Sequence, residues 1–596
     1  MADYSKWTKD DLVGRIRQLE NELKSQSGGL QTSSPSKHQD QEAAILSGEP
    51  AKKKAKKNAK GIDPSKYSKR FVALKLAYLG KSYNGFEYQP TGAMSTIEEE
   101  LWKALVKACL IFPDPERPNE VDWNCCEYSK CGRTDRGVSA FGQVVALRVR
   151  SNKPVKAARM RAQAVATGHA GGVDVDTGGG TPAAGEANLE GSGEDGEGKQ
   201  GQDEDDDAPL PVDEEIQYCR VLNRILPPDI KVYAWCPSPP PDFSARFSCR
   251  ERQYRYFFTQ PAFAPLPNFL EKINNGHGKG KGKGQAQAQA PHCSSGRPKD
   301  GWLDTDAMRK AAKMFEGVHD FRNFCKVDPS KQITNFVRRI FESDIVEVDG
   351  VNTSVPYLDS PQFRDAAAEA GVAHPRVYYF HVRGSAFLWH QIRCMVAVLF
   401  LVGQGLEDPG VVAELLDPER HPRRPNYVLA DDRPLVLWDC VFGREKDDGA
   451  ADGVDWVYAG ADNPLNLHGS WGVANDLWEY WRDKKMDELL SNRLLDWVSL
   501  KTGVGRVPEA GSQALQTAME SARSSTRVYE GGNGPRLVGT YVPLLKKDKL
   551  QSPDDQNDRW AQRKGFSSAE DMRSVGNWRE TIKDKKSAAD EDAGNG

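Results

Sequence analysis

Apolar and polar positions follow two different periods along this chain. Residues 71–79 are apolar at nearly every position, which is typical of a central strand covered on both faces. Ser95-Thr96 followed by Glu98-Glu99 forms a helix-capping signal, and an apolar stripe runs from there to Cys109. The same periodicities predict strands over 143–149, 230–236, 337–348 and 377–382, and helices over 97–109, 216–226, 303–315 and 388–402. Because strands and helices alternate in both halves, we expect an α/β or α+β fold with one extended sheet.

Several stretches are too polar for any core, since only 38% of the 596 residues are apolar. An insertion at about 152–214, rich in Gly, Ala and acid, and a low-complexity loop at about 271–300 both have the composition of disordered segments. Residues 1–26 space four apolar side chains as a short amphipathic helix, which either docks and self-associates or is marginal. The linker 27–66 contains the basic run 52–60, which indicates a nuclear address, an RNA-contacting tail or a solvated flexible segment.

Charge and cysteine content narrow the class of protein. The net charge of −4 is misleading, because 13 acidic residues and one lysine lie between 186 and 215, and the rest of the chain is basic. The eleven cysteines show no CxxC pair, so their spacing predicts reduced thiols of an intracellular protein, with neither a disulfide framework nor a zinc site. No apolar run approaches the ~20 residues of a membrane span, and the first residues do not resemble a signal peptide.

The densest polar cluster in folded sequence is Ser129-Lys130-Cys131-Gly132-Arg133-Thr134-Asp135-Arg136-Gly137. Two glycines allow a tight, exposed loop around Asp135, and the arginines on either side would keep its carboxylate ionised. An ionised carboxylate can act as a nucleophile or a base, and arginines can hold phosphate. Taken alone, the motif also fits an ordinary turn.

Two further clusters mix basic and aromatic residues. Residues 243–258 read FSARFSCRERQYRYFF, which suits unstacked RNA or an edge strand with an aromatic core face, where Tyr254 and Tyr256 would share one side. Residues 383–395 read RGSAFLWHQIRCM and lead into the apolar helix. Arg393 within that helix needs a carboxylate partner if it is buried. His390 fits a helix face or cap better than a metal ligand, because no second His or Cys lies at a useful spacing.

Together the three clusters resemble the TruA family of tRNA pseudouridine synthases. The segments KCGRTDRGVSAFGQ and ARFSCRERQYRYFF are similar to those of the eukaryotic branch that modifies uridines 38 and 39. The segment Tyr541–Trp560 is similar to the tail of that branch. The resemblance implies an α+β fold in which two ferredoxin-like lobes form one extended mixed sheet with a central RNA-binding cleft. It divides the chain into a helix (1–26), a basic linker (27–66), an N-terminal catalytic lobe (67–235), a C-terminal catalytic lobe (236–446) and an extension with a Trp-rich helix and tail (447–596).

The resemblance also implies roles for individual residues. Asp135 is the expected catalytic residue, acting on the sugar or on the base, and Arg393 is expected to keep it ionised. Tyr254 is expected to stack on the target uracil, and Arg133 to fill the gap left by the flipped nucleotide. Arg246 is a further candidate for substrate binding. The remaining candidates are all cations expected to contact RNA phosphates: Lys130, Arg136, Arg250, Arg252 and Arg255.

Isomerisation of uridine conserves its atoms, so no cofactor and no metal is expected. The expected partners are the tRNA anticodon stem-loop and a second copy of the chain, with no membrane, and the expected location is the nucleus and cytoplasm. Two alternatives stay open at this point. One is a synthase of the same family that modifies other tRNA positions, and the other is a non-catalytic tRNA-binding protein on the same fold. The Trp-rich helix is expected to pack on the core.

Overall fold

The structure is a computed structural model. It describes residues 62–117, 120–155, 209–264, 298, 300–348, 375–443, 454–461, 463–469, 472–502, 512–513, 515–517, 526–532, 534–538 and 540–582. The predicted N-terminal helix lies outside these residues, as do the basic run 52–60 and most of the acidic insertion and low-complexity loop.

A ten-stranded mixed sheet runs through the described part of the chain. Its strands lie in the order β10-β4-β1-β3-β9-β5-β8-β7-β6, and β2 pairs with β3. All neighbours are antiparallel except β3 and β9, which pair in parallel. We call β1–β4 with β10 the first lobe and β5–β9 the second lobe. The strands are β1 Tyr67–Tyr78, β2 Ser129–Lys130, β3 Ser139–Pro154, β4 Ile230–Cys236, β5 Glu251–Gln260, β6 Gly317–Asp320, β7 Val337–Glu347, β8 Arg376–Gly384, β9 Leu435–Val441 and β10 Val457–Tyr458.

Each lobe has a hydrophobic core between one face of the sheet and its helices. In the first lobe, Leu101 and Leu105 of α1 contribute to the same core as Leu74 and Leu76 of β1. In the second lobe, α4 is buried along nearly its whole length and shares a core with Tyr256. The helices of the two lobes are α1 Ile97–Lys107, α2 Tyr218–Asn223, α3 Thr305–Lys313, α4 Gln391–Gly403 and α5 Val411–Leu416.

The fold class predicted from the sequence is confirmed. Every predicted strand and helix of the two lobes is present with ends shifted by a few residues, and 230–236 is a strand with the predicted ends. Strand β9 was not predicted, although it pairs with both β3 and β5 and so joins the lobes. No helix in the described ranges is both long and apolar enough to cross a membrane.

The extension after the second lobe has two different parts. Its elements are α6 Leu465–His468, α7 Val473–Thr502, β11 Thr526–Val528, β12 Arg536–Val538, α8 Pro553–Arg563 and α9 Ala569–Ser574. Of α7, only Val473 is buried, whereas Leu490, Leu494 and Trp497 are 68%, 63% and 61% exposed. The expectation that this Trp-rich helix packs on the core is therefore wrong for most of its length.

The tail after α7 packs on the second lobe. The Tyr529 ring is buried and stacks on Phe263, with ring centroids 4.2 Å apart and planes 6° apart. Gln404, which caps the end of α4, donates to Tyr529 O at 2.6 Å and accepts from Tyr529 N at 2.8 Å. Leu544 is also fully buried in the second-lobe core. The tail is thus an integral part of the lobe that holds α4.

Candidate active site

The loop between β2 and β3 carries Asp135 at the junction of the two lobes. β3 begins at Ser139, which pairs in parallel with Val436 of the second lobe. Gln143 of β3 fixes the start of the loop, because its side-chain oxygen accepts from Gly132 N at 3.2 Å and its side-chain nitrogen donates to Gly132 O at 2.9 Å. The first lobe therefore holds the loop at the edge that meets the second lobe.

Asp135 begins a tight turn. Val138 N donates to Asp135 O at 3.1 Å, and Gly137 has a φ of +80°. That φ strains any residue with a Cβ, and a Cβ added at Gly137 would lie 2.5 Å from the Asp432 carboxylate. The second glycine of the motif is thus required both by the turn and by the close approach of a carboxylate from the second lobe.

The Asp135 carboxylate receives contacts from two neighbouring residues of the second lobe. Trp389 Nε1 donates to its Oδ1 at 3.2 Å, and His390 Nε2 lies 3.4 Å from its Oδ2. His390 has a φ of +60° at the residue that precedes α4, and its ring is 4.6 Å from that of Trp389. The segment before α4 therefore positions the carboxylate across the lobe junction.

Burial dominates the electrostatics of Asp135. Its side chain is 30% exposed, and desolvation raises its pKa, which is partly offset by Arg393, the Trp389 N–H and Lys331. Burial, followed by the charge of Arg393, lowers the pKa of His390 to about 3. His390 is therefore neutral near pH 7, and it contacts Asp135 as a dipole rather than as a cation.

Arg393 is mostly buried, as expected, but its direct partners differ from the predicted one. Its side chain is 14% exposed, its Nη1 lies 3.8 Å from Asp432 Oδ2, and its Nε donates to Ala430 O at 2.8 Å. Among the ion pairs of the described residues, Arg393 pairs with Asp432 and not with Asp135. It is nevertheless the cation that most lowers the pKa of Asp135. The structure thus places it as a neighbouring charge of Asp135 rather than as a direct contact.

Tyr254 lies on β5, where it pairs with Val382 of β8 and Leu437 of β9. Its ring packs edge-on against Phe387, with centroids 5.1 Å apart. Burial raises its pKa, so the phenol stays protonated. Tyr254 and Tyr256 contribute to the same core, as the two-residue period predicted.

Asp135, Tyr254 and Arg393 line one cavity of about 760 Å³ between the lobes. Five other predicted residues line it as well: Lys130, Arg133, Arg136, Arg246 and Arg252. These cations differ in how free they are to bind RNA, because some of them are already held in ion pairs. Lys130 Nζ lies 2.7 Å from Glu98 and 3.1 Å from Glu87, and Arg133 Nη2 lies 3.1 Å from Glu87.

Arg136 and Arg246 are exposed and have no ion pair within the described residues. The Arg246 guanidinium lies 5.3 Å from the ring of Phe247, whose side chain is 81% exposed at the rim of the cavity. Exposed arginines beside an exposed ring are typical of surfaces that bind single-stranded RNA. These two cations are therefore the most available ones at the cavity.

The other predicted phosphate contacts lie differently. Arg252 lines the cavity, but its guanidinium donates to the main-chain oxygens of Ser385, Cys131 and Arg246 at 2.8, 3.0 and 3.3 Å, which favours a positioning role over phosphate contact. Arg255 lies on the opposite face of the sheet, 3.7 Å from the ring centroid of Trp438 and 4.4 Å from that of Tyr379.

Arg250 is exposed just before β5 and is not among the residues that line the cavity. Its main-chain nitrogen donates to Val441 O at 2.9 Å, and its side chain lies on the surface. The expectation that Arg250, Arg252 and Arg255 each contact RNA phosphates stays a prediction, and the structure places the three side chains in separate environments.

Sequence reasoning missed three residues of the site: Trp389, His390 and Phe247. His390 does take the predicted cap position, but its ring faces Asp135. Trp389 and His390 could have been identified from the sequence, because they form a Trp-His pair directly before an apolar helix that carries an arginine on its first turn. A short segment that brings an indole N–H and an imidazole to a helix start is suited to hold an anion there.

A carboxylate in a cavity between two lobes, with exposed arginines and an exposed aromatic ring at its rim, is suited to an enzyme that acts on a nucleotide of RNA. Comparison with known proteins gives the family. A family model described as tRNA pseudouridine synthase matches residues 311–443. The chain belongs to the TruA family of tRNA pseudouridine synthases, which are isomerases.

Three relatives illustrate the range of similarity. The tRNA pseudouridine(38/39) synthase of Saccharomyces cerevisiae is 32% identical over 94% of this chain and 92% of its own length. The protein of the same name from Homo sapiens is 31% identical over 83% of this chain and 78% of its own. The tRNA pseudouridine synthase A of Methanothrix thermoacetophila is 26% identical over 62% of this chain and 83% of its own.

Proposed function

We propose that this enzyme isomerises uridine to pseudouridine at positions 38 and 39, in the anticodon stem-loop of tRNA. The observation that carries the proposal is the extent of similarity. Relatives named for positions 38/39 are 30–32% identical over 83–94% of the chain, whereas the archaeal synthase A relatives are 25–26% identical over 58–62% of it.

The reaction breaks the N1–C1′ bond of uridine, rotates the base and joins C5 to C1′. The proton on C5 leaves and N1 gains a proton, so atoms and electrons balance without a co-reactant. Asp135 is the proposed nucleophile or base for this step, toward either the sugar or the base. Its raised pKa, with Arg393 and the Trp389 N–H acting to lower it, is the electrostatic setting of a carboxylate tuned for reaction.

The target uridine must leave the helical stack before it reaches Asp135. In the proposed complex, Tyr254 stacks on the uracil and Arg133 fills the vacated space, which requires Arg133 to leave Glu87, 3.1 Å away. Arg136 and Arg246 bind phosphates, since both are exposed at the cavity and lack a carboxylate partner among the described residues. Phe247, 81% exposed, is placed to stack on a neighbouring base.

The experiment uses the purified full chain and a tRNA transcript that has uridine at both 38 and 39. Pseudouridine is mapped by chemical marking and primer extension, with transcripts carrying cytidine at 38, at 39 or at both as controls. The proposal predicts marks at 38 and 39 that disappear with the matching substitution. Marks at other positions would instead indicate a family member of different specificity, and tRNA binding without any mark would indicate a non-catalytic protein.

The proposed assembly is a homodimer, and an aromatic band on the face of the sheet opposite the helices supports it. Four rings form a series of contacts of 5.4 to 6.3 Å across both lobes: Phe141, Trp438, Phe257 and Tyr379. The Tyr233–Tyr458 pair adjoins this series, because Tyr233 Oη donates to Phe141 O at 2.8 Å. The most exposed rings of the band are Phe141 (37%) and Tyr458 (48%). Continuous aromatic surface of this kind is typical of protein interfaces. Light scattering should give twice the chain mass, and Phe141→Glu should lower it toward one chain mass. A monomeric wild type would refute the assembly.

The proposed location is the nucleus and the cytoplasm, supported by the run of six lysines within residues 52–60. A fluorescent fusion of the full chain should appear in both compartments. Replacing these lysines by alanine should remove the nuclear share. An unchanged distribution would show that this run is not the address.

A further inference from the structure

Three cysteines that are far apart in the sequence meet beside the active-site loop. Cys131 follows β2 in the first lobe, Cys249 precedes β5, and Cys440 lies on β9. All three are buried, and their Sγ atoms lie within 4.8 Å of one another. We infer that Cys131, Cys249 and Cys440 form a three-thiolate site for a divalent thiophilic cation, with zinc as the ion of choice. The proposal departs from the expectation that no metal is bound, because the spacing of these cysteines predicted no metal site.

The geometry is close to what zinc requires. With zinc–sulfur bonds of about 2.3 Å, three sulfurs around one ion lie about 3.8–4 Å apart. The sulfurs need to approach by less than ~1 Å from the observed limit of 4.8 Å, which side-chain adjustment can supply. A disulfide fits the cluster less well, because its two sulfurs must come to about 2 Å and the third cysteine would be left over.

The charge around the cluster also favours bound metal. Arg252 lies alongside, with its Nη2 donating to Cys131 O at 3.0 Å. A zinc ion with three thiolates carries one net negative charge, which one guanidinium neutralises. The buried cluster thus reaches charge balance when the ion is bound.

Zinc binding converts the three buried thiols to thiolates and releases the protons that they carry, so the affinity of the cluster for metal should rise with pH. Because Cys131 also lines the active-site cavity, an ion can enter from that side and a water can complete its coordination.

The consequence of the site is mechanical. Cys131 follows β2 and lies four residues before Asp135, whereas Cys249 precedes β5 and Cys440 lies on β9, and all three are buried in the first-lobe core. A shared ion would therefore tie the base of the catalytic loop to β9 and β5. We assign it a structural role at the lobe junction and no step in the isomerisation.

The test measures metal in the full chain purified under reducing conditions. Elemental analysis should find about one zinc per chain, and replacement by Co²⁺ should give the intense thiolate-to-cobalt absorption. Cys440→Ser should lose most of both signals, whereas Cys126→Ser, a control cysteine that is buried outside the cluster, should keep them. Chelation should lower the melting temperature of the wild type and of Cys126→Ser, but not that of Cys440→Ser.

The inference is overturned if the reduced wild type holds less than about a tenth of an equivalent of zinc and shows no cobalt–thiolate band on titration. It is also overturned if Cys440→Ser retains the full metal content, or if mass spectrometry finds a disulfide within the cluster. Should Cys440→Ser fail to fold, the cobalt titration of the wild type still decides, because the intensity of the band reports the number of bound thiolates.

Discussion

Replacing Trp389 by phenylalanine would remove one hydrogen bond from Asp135 and little else. Trp389 Nε1 donates to Asp135 Oδ1 at 3.2 Å. The aromatic ring also contacts His390, 4.6 Å away, and Lys326 Nζ, 5.6 Å away. Phenylalanine keeps an aromatic ring for both contacts and loses only the N–H. The variant therefore isolates the contribution of this hydrogen bond to the reactivity of the carboxylate.

The size of the effect follows from the geometry. A hydrogen bond to a charged group contributes about 1.5–3 kcal/mol. At 3.2 Å, the Trp389 hydrogen bond is at the long end of the range for N–H···O, and the Trp389 side chain is 42% exposed. The free-energy contribution of this hydrogen bond should therefore be near or below about 1.5 kcal/mol. At about 1–1.5 kcal/mol, and with 1.36 kcal/mol for each factor of ten, the rate should fall about 5- to 13-fold.

The assay is the single-turnover rate of pseudouridine formation in tRNA, with the dissociation constant of tRNA measured in parallel. The rate should fall as stated while the dissociation constant changes less than about twofold. Trp478→Phe on α7, outside the cavity lining, is the matched control and should change neither. An unchanged rate for Trp389→Phe, or a loss entirely in tRNA affinity, would refute the idea that the indole acts through Asp135.

Three further outcomes follow from the site and its support. Arg393→Leu removes the cation that most lowers the pKa of Asp135, so the pKa of Asp135 should rise. The acid limb of the pH–rate profile should then move to higher pH, and Arg393→Lys should move it less. Coincident profiles of the wild type and Arg393→Leu would contradict this. Tyr529→Ala should destabilise the chain by about 3–5 kcal/mol in urea unfolding, since a buried stacked ring is lost, and a change under 1 kcal/mol would show that the tail is not part of the core. Arg136→Ala and Arg246→Ala should each weaken tRNA binding and lower the slope of log K against log salt by about 1, and an unchanged slope would remove either residue from the phosphate contacts.

Local patterns predicted the parts of the fold that depend on neighbours in sequence. The nearly continuous apolar runs of α4 and β1 each indicated a buried element, and the structure contains both. The glycine-rich loop indicated an exposed turn at Asp135, and the φ of +80° at Gly137 explains why a glycine stands there. These signals are local, because helix and strand periods and turn geometry are set within a few residues.

Contacts between distant segments were not predictable in the same way. Strand β9 is short, and its role in joining the lobes arises only from its pairing with β3 and β5. The meeting of Cys131, Cys249 and Cys440 likewise depends on the tertiary fold. No spacing rule links residues that are more than 100 positions apart.

The period of strand β5 also bears on the predicted phosphate contacts. A strand places alternate side chains on opposite faces, so Arg255 must lie away from Tyr254 and cannot share its cavity. The structure places Arg255 between Trp438 and Tyr379 on the other face of the sheet. The two-residue period of the strand therefore already predicts that Arg255 and Tyr254 lie on opposite faces, although both belong to the same cluster of basic and aromatic residues.

The most direct test of the central claim is the exchange of one atom of Asp135. Asp135→Asn keeps the shape of the side chain and removes its charge. With tRNA that carries tritium at C5 of uridine, the wild type should release tritium as pseudouridine forms, whereas Asp135→Asn should release none while it binds tRNA with nearly the wild-type affinity. Tritium release by the purified Asn variant at a rate near that of the wild type would contradict the assignment of Asp135 as the catalytic residue.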